Sequence, residues 1–193
     1  MGRVIFQTSM SLDGFMTASE QTAEEPLGKD GERLHEWGFS SDPQDREYAE
    51  RVMGHGGAVI VGRVTYDHSL PWWGADGPSG AARVPVFIVT HDVPAESPAD
   101  SVYHFVIDGI ESALRQAQEA AGQEDVVIVG GAIMGREYIA AGLVDEIQMH
   151  IVPVLFGSGT RMFEDMGVGH LWLEPVEVVD RPLATHIRYR VVK

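Results

Sequence analysis

Val59-Ile60-Val61-Gly62-Arg63-Val64-Thr65-Tyr66 and Val126-Val127-Ile128-Val129-Gly130-Gly131 each end a short β-branched run in glycine and pass at once into a helical pattern. A helix that begins directly after a buried strand leaves its first N–H groups without intrahelical partners and points the positive end of its dipole out of the sheet. Two such junctions in one sheet offer adjacent anion sites, enough for the phosphates of a dinucleotide. A tight turn in any α/β sheet also uses glycine, so one junction alone says little. At the first, Arg63 and Thr65 add a guanidinium fork and a hydroxyl, which suit phosphate oxygens.

The rest of the chain alternates in the same way. Strand patterns fall at 3–8, 57–61, 85–90, 102–107, 125–129, 144–154, 171–180 and 184–192, and helical patterns at 43–54, 63–70, 110–121 and 132–141. Asp42 before Pro43 reads as a helix start, and Gly142 as a helix stop. The last two strands, around Arg181-Pro182-Leu183, alternate as an antiparallel hairpin, which makes the expected sheet mixed but mostly parallel. Ser9 to Arg33 and Leu70 to Val84 read as long loops beside the site strands.

The 193 residues, 44% hydrophobic, suffice for one sizeable core, so the expectation is a single domain over 1–193. The net charge of −15 argues against a nucleic-acid or anionic-membrane surface, and any anionic ligand must be held by local arginines and helix ends. There is no cysteine, which removes disulfides, thiolate nucleophiles and cysteine-held metals. The apolar run after Met1-Gly2-Arg3 is too short for a signal-peptide core, and no run reaches membrane-span length, so a cytoplasmic location is expected. His35-Glu36-Trp37 lacks the second histidine of a zinc helix, and no metal is expected.

Ser11-Leu12-Asp13-Gly14 after the first strand, Gly62 to Tyr66 after the second, Val89-Thr90-His91 ending the third, Gly130-Gly131, and Pro153 to Gly159 followed by Phe163 stand in a familiar order. The chain resembles the dihydrofolate reductase fold over essentially its whole length, and more closely the reductase domain at the C-terminus of the riboflavin-biosynthesis deaminase-reductases. The resemblance implies a three-layer architecture of about eight strands with helices on both faces, a homodimer, and NADPH as cofactor. It further implies that Gly62, Arg63 and Thr65 hold cofactor phosphates, that Thr90 and His91 lie near the adenosine 2′-phosphate, and that Gly130, Gly131 and Ala132 admit the diphosphate. The implied reaction is reduction of a small pyrimidine- or pteridine-like molecule, with 5-amino-6-(5-phosphoribosylamino)uracil as the named candidate. The folate enzymes carry a Pro-Trp pair in the loop after the first strand, and its absence after Ser11 points away from dihydrofolate itself.

Reducing a C=N bond or sugar carbonyl also needs a proton source. Asp45 shares a helix face with Tyr48, Ala49, Val52 and Met53, and a carboxyl on a buried face favours the protonated form that a general acid needs. It stands equally well as a first-turn acid favoured by the helix dipole. Asp13 is the second candidate, at the mouth of the first strand, although Asp-Gly is also an ordinary turn pair. Ser11, Met149 on the strand expected to floor the pocket, and Trp72 and Trp73 on the loop after Pro71 complete the expected substrate pocket. The two indoles would cover a ring system or bury in an interface. Two other readings stand beside the riboflavin-type reductase. A folate reductase is favoured by Asp45 in a closed pocket. A nucleotide- or flavin-binding protein without turnover is favoured by carboxylates that point to water. A substrate phosphate held by Arg161 or Lys29 would favour the riboflavin step.

Overall fold

The computed structural model describes residues 2–22, 24–53 and 56–193. Eight strands form one sheet: β1 (Val4–Ser11), β3 (Ala58–Gly62), β4 (Val86–Val89), β5 (Tyr103–Val106), β6 (Val126–Val129), β7 (Glu146–Val152), β9 (Leu173–Asp180) and β10 (Thr185–Val191), in the order β5-β4-β3-β6-β1-β7-β10-β9. All neighbours are parallel from β5 through β7, and β10 runs antiparallel to both β7 and β9. The expected mixed sheet and C-terminal hairpin are therefore both present. Four helices connect the parallel strands: α1 (Pro43–Met53), α2 (Arg63–Trp73), α3 (Ile110–Ala121) and α4 (Ala132–Ala140). The expected end of the first helix at Gly54 lies outside the described residues.

Strand alternation divides the core into two unlike faces. Phe6 and Met10 of β1, Ile60 of β3, Ile128 of β6, and Ile147 and Met149 of β7 pack under α3 and α4 with Ala113, Ala117, Met134 and Tyr138, an apolar layer throughout. On the opposite face, α2 covers Val59, Val61, Val86 and Ile88 through Tyr66 and Trp73, while α1 and a 3₁₀ segment, Gly31–Phe39, bring Tyr48, Leu34 and Trp37 over the β7 and β10 side. Helices thus lie on both faces. Gly135 of α4 allows the close approach on the apolar side, since a Cβ there would stand 2.4 Å from Phe6 Cζ.

Parts of the fold were not legible as such. The stretch expected as a long loop after Ser9 contains β2 (Phe15–Ala18), which pairs with β8 (Gly159–Arg161) as a separate two-stranded sheet, and then the 3₁₀ segment. Helix α2 also continues through Pro71 to Trp73, where a loop was expected from Leu70. Among the described residues no helix is long and apolar enough to cross a membrane.

Phe6 is fully buried in the central strand and beneath α4. Phe6→Ala should therefore lower stability by about 3 to 5 kcal/mol through lost transfer energy and an unfilled cavity, measured as a shift in urea midpoint at unchanged slope.

Candidate active site

Insertion of β6 between β3 and β1 sets Val61 beside Val129, and Val129 beside Gln7. The two strand-to-helix junctions are thereby neighbours at the C-terminal edge of the sheet, the place where open parallel sheets bind ligands. Neither Gly62 nor Gly131, the residues that precede α2 and α4, supplies a side chain to cap its helix, so the first backbone donors of both are open to a ligand. The junctions also touch. Gly131 N donates to Thr65 Oγ1 at 3.3 Å. Gly130 adopts φ +115°, and a Cβ there would meet Thr65 Oγ1 at 2.5 Å, so glycine is required on both counts. Ala132, the first residue of α4, is buried at the same edge.

Arg63 reaches across to β4. Its Nη1 lies 3.5 Å from Thr90 Oγ1 and 3.2 Å from the Asp92 carbonyl oxygen, while His91 between them is exposed. Two carboxylates bracket the guanidinium. Arg63 Nε donates to both oxygens of Asp67 at 2.9 Å, and Nη1 stands 3.5 Å from Asp92 Oδ2. Asp67 raises the arginine pKa further, so the group is permanently cationic. The Asp92 side chain is 82% exposed and free to swing away.

On the same face of the sheet, buried polar side chains run across three strands beyond the junctions. Gln7 Nε2 lies 3.2 Å from His150 Nε2, and His150 Nδ1 lies 2.8 Å from His186 Nδ1. Trp37 lies tilted against His150 with ring centroids 4.1 Å apart and donates to Ser9 Oγ at 3.0 Å, and Tyr48 stacks at 4.0 Å on His186 while its hydroxyl accepts from Gln148. A cavity of about 250 Å³ opens on this face at the N-terminal ends of β1 and β6, away from the junctions, lined by Ile5, Gln7, Val52, Val127 and Gln148 together with the charged Arg3, Arg51, Asp125, Glu177 and Arg188. None of Gln7, Ser9, Trp37, His150 or His186 had been singled out as a site residue. A signal for them was present: Gln7-x-Ser9-x-Ser11 and Gln148-x-His150 place polar residues at every second position of buried strands.

The carboxylates do not meet the cofactor edge as expected. Asp13 is a loop clamp. It accepts from Ser11 Oγ at 2.6 Å, Gly157 N at 2.7 Å and Phe156 N at 3.2 Å. The Ser11 hydrogen bond, followed by the two backbone donors, holds its carboxyl at about 2, so it has no proton to give near neutral pH. Ser11, whose hydroxyl also accepts from Phe15 N, is part of the same clamp. Asp45 is buried as expected, but over β10, where its Oδ2 accepts from Ser40 Oγ at 2.7 Å and its Oδ1 stands 3.9 Å from Arg181 Nε. Strand spacing puts β10 about 14 Å from β6, and the two histidine rings stand between. Asp42 caps the helix by accepting from Gln44 N and Asp45 N.

The remaining pocket residues lie elsewhere. Met149 packs in the apolar layer on the opposite face. Trp72 and Trp73 sit at the far end of α2, an eleven-residue helix about 16 Å long. Trp73 packs with Tyr66 and its neighbours, and Trp72 is exposed. They ride a helix and do not form a loop over the junctions. Arg161 lies near the mouth, donating to the Asp13 carbonyl oxygen with its guanidinium 4.3 Å over the Phe15 ring. Lys29 is exposed. Among the described residues no group of three or more potential ligands could hold a metal ion.

Burial pushes the His186 imidazole down to about 4, with Asp45 and Glu177 opposing and Arg181 and Arg51 reinforcing the shift, and burial also lowers His150 well below its ordinary value. Between pH 6.5 and 4 the unfolded chain therefore takes up a proton that the folded His186 site refuses, so stability falls as pH drops through that window. Chemical denaturation across pH 4 to 7 should show this slope, and His186→Gln should flatten it.

A search of curated proteins returned no match. The architecture is shared with solved structures at low identity. A protein of Shewanella sp. PV-4 provisionally assigned to riboflavin biosynthesis superposes with a TM-score of 0.74 at 20% identity, covering 99% of both chains. Dihydrofolate reductase from Enterococcus faecalis, solved with NADP(H), gives 0.63 at 16% identity over 100% of this chain and 98% of that one. The riboflavin biosynthesis reductase of Saccharomyces cerevisiae gives 0.62 at 14%, over 99% and 90%. These likenesses fix the fold, and a family model matches residues 3–184: the chain belongs to the RibD C-terminal domain family.

Proposed function

We propose that this protein is an NADPH-dependent reductase of a small pyrimidine- or pteridine-like substrate, of the kind that acts in riboflavin biosynthesis. The observation that carries the reading is the contact between the two junctions, where Gly130 must be glycine because Thr65 stands against it and Gly131 donates to Thr65. Two uncapped helix starts side by side, with a guanidinium at one of them, make a cradle for a diphosphate and a further phosphate. NADPH would be held by Gly62, Arg63 and Thr65 at one junction, by Gly130, Gly131 and Ala132 at the other, and by Thr90 and His91 at the 2′-phosphate. When bound it supplies the hydride. The chain's own contribution at the reacting end is a water-poor floor of Gln7 and Ser9 beneath Trp37. The complex of NADP(H) with the Enterococcus dihydrofolate reductase, which has the same fold, supports this cofactor, and the riboflavin reductases among the structural neighbours support this substrate class.

Neither expected carboxylate stands beside the junctions, which weakens the folate-type reading that relied on Asp45 in a closed pocket. It equally leaves the proton to reach the substrate from solvent or from a group other than Asp13 and Asp45.

A 2′-phosphate must displace Asp92 from Arg63. Arg63→Ala should weaken NADPH binding by about 1.5 to 3 kcal/mol, the range of a charge-assisted hydrogen bond. Asp92→Asn should strengthen it by up to about 1 kcal/mol, the scale of an exposed ion pair, with little effect on NADH. Calorimetric titration of both cofactors checks each value. Equal affinity of wild type and Arg63→Ala would remove the guanidinium from the site, and failure of wild type to bind NADPH would end the reductase reading.

A further inference from the structure

Glu177, Arg188, Gln148 and Gln7 stand level across β9, β10, β7 and β1, on the face that α1 covers. Opposite charges facing each other on neighbouring strands ordinarily pair, yet Arg188 and Glu177 do not. Glu177 turns to α1 instead, where its two oxygens accept from Arg51 Nη1 at 3.0 and 3.3 Å. The acid that does lie near Arg188 is Glu146, and its two oxygens accept from Arg3 Nη1 at 3.3 and 3.2 Å. Arg188 is left 3.6 Å from Glu146 Oε2, with its Nε sealed from solvent and no side-chain hydrogen bond among the described residues. A guanidinium in that state costs stability unless something supplies acceptors. Its terminal nitrogens are not sealed, and the side chain borders the cavity of about 250 Å³ at the N-terminal ends of β1 and β6. Buried Ile5, Val52 and Val127 give that cavity an apolar floor, and Gln7 and Gln148 give it amides. Three arginines and two carboxylates line it, an excess of one positive charge in a chain whose net charge is −15.

We propose that this cavity is a second binding site, which takes a small flat monocarboxylate with its two oxygens on the terminal nitrogens of Arg188. The planar guanidinium matches a carboxylate oxygen for oxygen, and such charge-assisted forks are stronger than neutral hydrogen bonds. Only one charge is in excess, so a monoanion restores the balance, whereas a phosphate dianion would face Asp125 and Glu177 uncompensated. The volume lies just below the range of about 300 to 1,000 Å³ usual for small-molecule pockets, and suits a single ring and not a dinucleotide. The apolar floor takes the face of the ring. Gln7 and Gln148 can donate or accept at its edge, whichever way each amide is turned. The site is separate from the cofactor cradle, since Val127 precedes Gly130 by about 10 Å of strand, toward the opposite edge of the sheet. Binding there does not depend on the reductase reading.

The test titrates benzoate into the full chain at low ionic strength, with benzamide as the neutral ring of the same shape and inorganic phosphate as the rival anion, followed by calorimetry and by NMR spectra of amides and methyls. Wild type should bind benzoate saturably and prefer it to benzamide and to phosphate by about tenfold or more, the scale of a charge-assisted hydrogen bond. The side-chain amides of Gln7 and Gln148 and the methyls of Ile5 and Val127 should shift, while the backbone amides of Gly130 and Gly131 stay in place. Arg188→Gln should abolish the preference for benzoate over benzamide, and the dispersion of its amide spectrum reports its fold. Glu177→Gln releases Arg51 and removes a like charge, so it should tighten benzoate several-fold, a gain that no folding defect can imitate. Five results overturn the proposal: no saturable binding by wild type, equal affinity for benzamide or phosphate, shifts at Gly130 and Gly131 in place of Gln7 and Val127, a preference that survives in Arg188→Gln, or benzoate affinity that does not rise in Glu177→Gln.

Discussion

The placement of β6 between β3 and β1 is the constraint on which the site depends. Parallel pairing in that order makes Val61, Val129 and Gln7 a row across three strands, so the start of α2, the start of α4 and the polar floor are fixed relative to one another by backbone hydrogen bonds. In a chain of net charge −15 that arrangement matters more than it would in a basic protein. Long-range attraction for an anion is absent, and binding must come from donors aimed at short range. The Thr65 contact with Gly130 and Gly131 sets the distance between the two sets of donors to a value that side-chain motion cannot change.

The two faces of the sheet divide the labour. Under α3 and α4 the layer is apolar and its contribution is burial. Under α1 and the 3₁₀ segment the same strands turn Gln7, Ser9, Gln148, His150 and His186 inward, each of them buried. Such groups destabilise a fold unless each finds a partner. Here the partners are mutual, with Trp37 and Tyr48 supplying both a hydrogen bond and a stacked ring. Replacing the network by aliphatic side chains would give a simpler core. A hydrogen-bonded polar cluster instead gives orientation to the side chains that form it.

Much of this was legible in the residues. The β-branched runs and the glycines that end them located the parallel strands and the two helix starts, because backbone geometry at such junctions leaves few alternatives to glycine. Arg63 and Thr65 could be assigned to a phosphate edge for the same reason. The carboxylates were harder. Asp45 does lie on a buried helix face, but helical periodicity says which way a side chain points and not which strand lies beneath it. Asp13 reads as a turn residue or a site residue until the loop of Phe156 and Gly157, 143 and 144 positions away, is seen to donate to it. Pro71 before Trp72 and Trp73 reads as the start of a loop, yet α2 passes through that proline. The histidine pair is not legible in the sequence because His150 and His186 are distant in it, and only the antiparallel register of β7 and β10 brings them opposite one another.

All eight residues of β1 are buried, and it precedes every strand it pairs with in the sequence. Its partners follow much later: Arg3 meets Asp125 across 122 positions, and Val4 meets Asp145 across 141. Nascent β1 therefore has both of its edges unpaired until β6 has been made, and one of them until β7 follows. Contacts of such range slow folding and lengthen the life of species with exposed strand edges. The strand that organises the finished molecule is thus its most vulnerable segment during synthesis. The polar alternation of Gln7, Ser9 and Ser11, described above as part of the site and its clamp, also interrupts what would otherwise be an unbroken apolar strand at the stage when aggregation competes with folding.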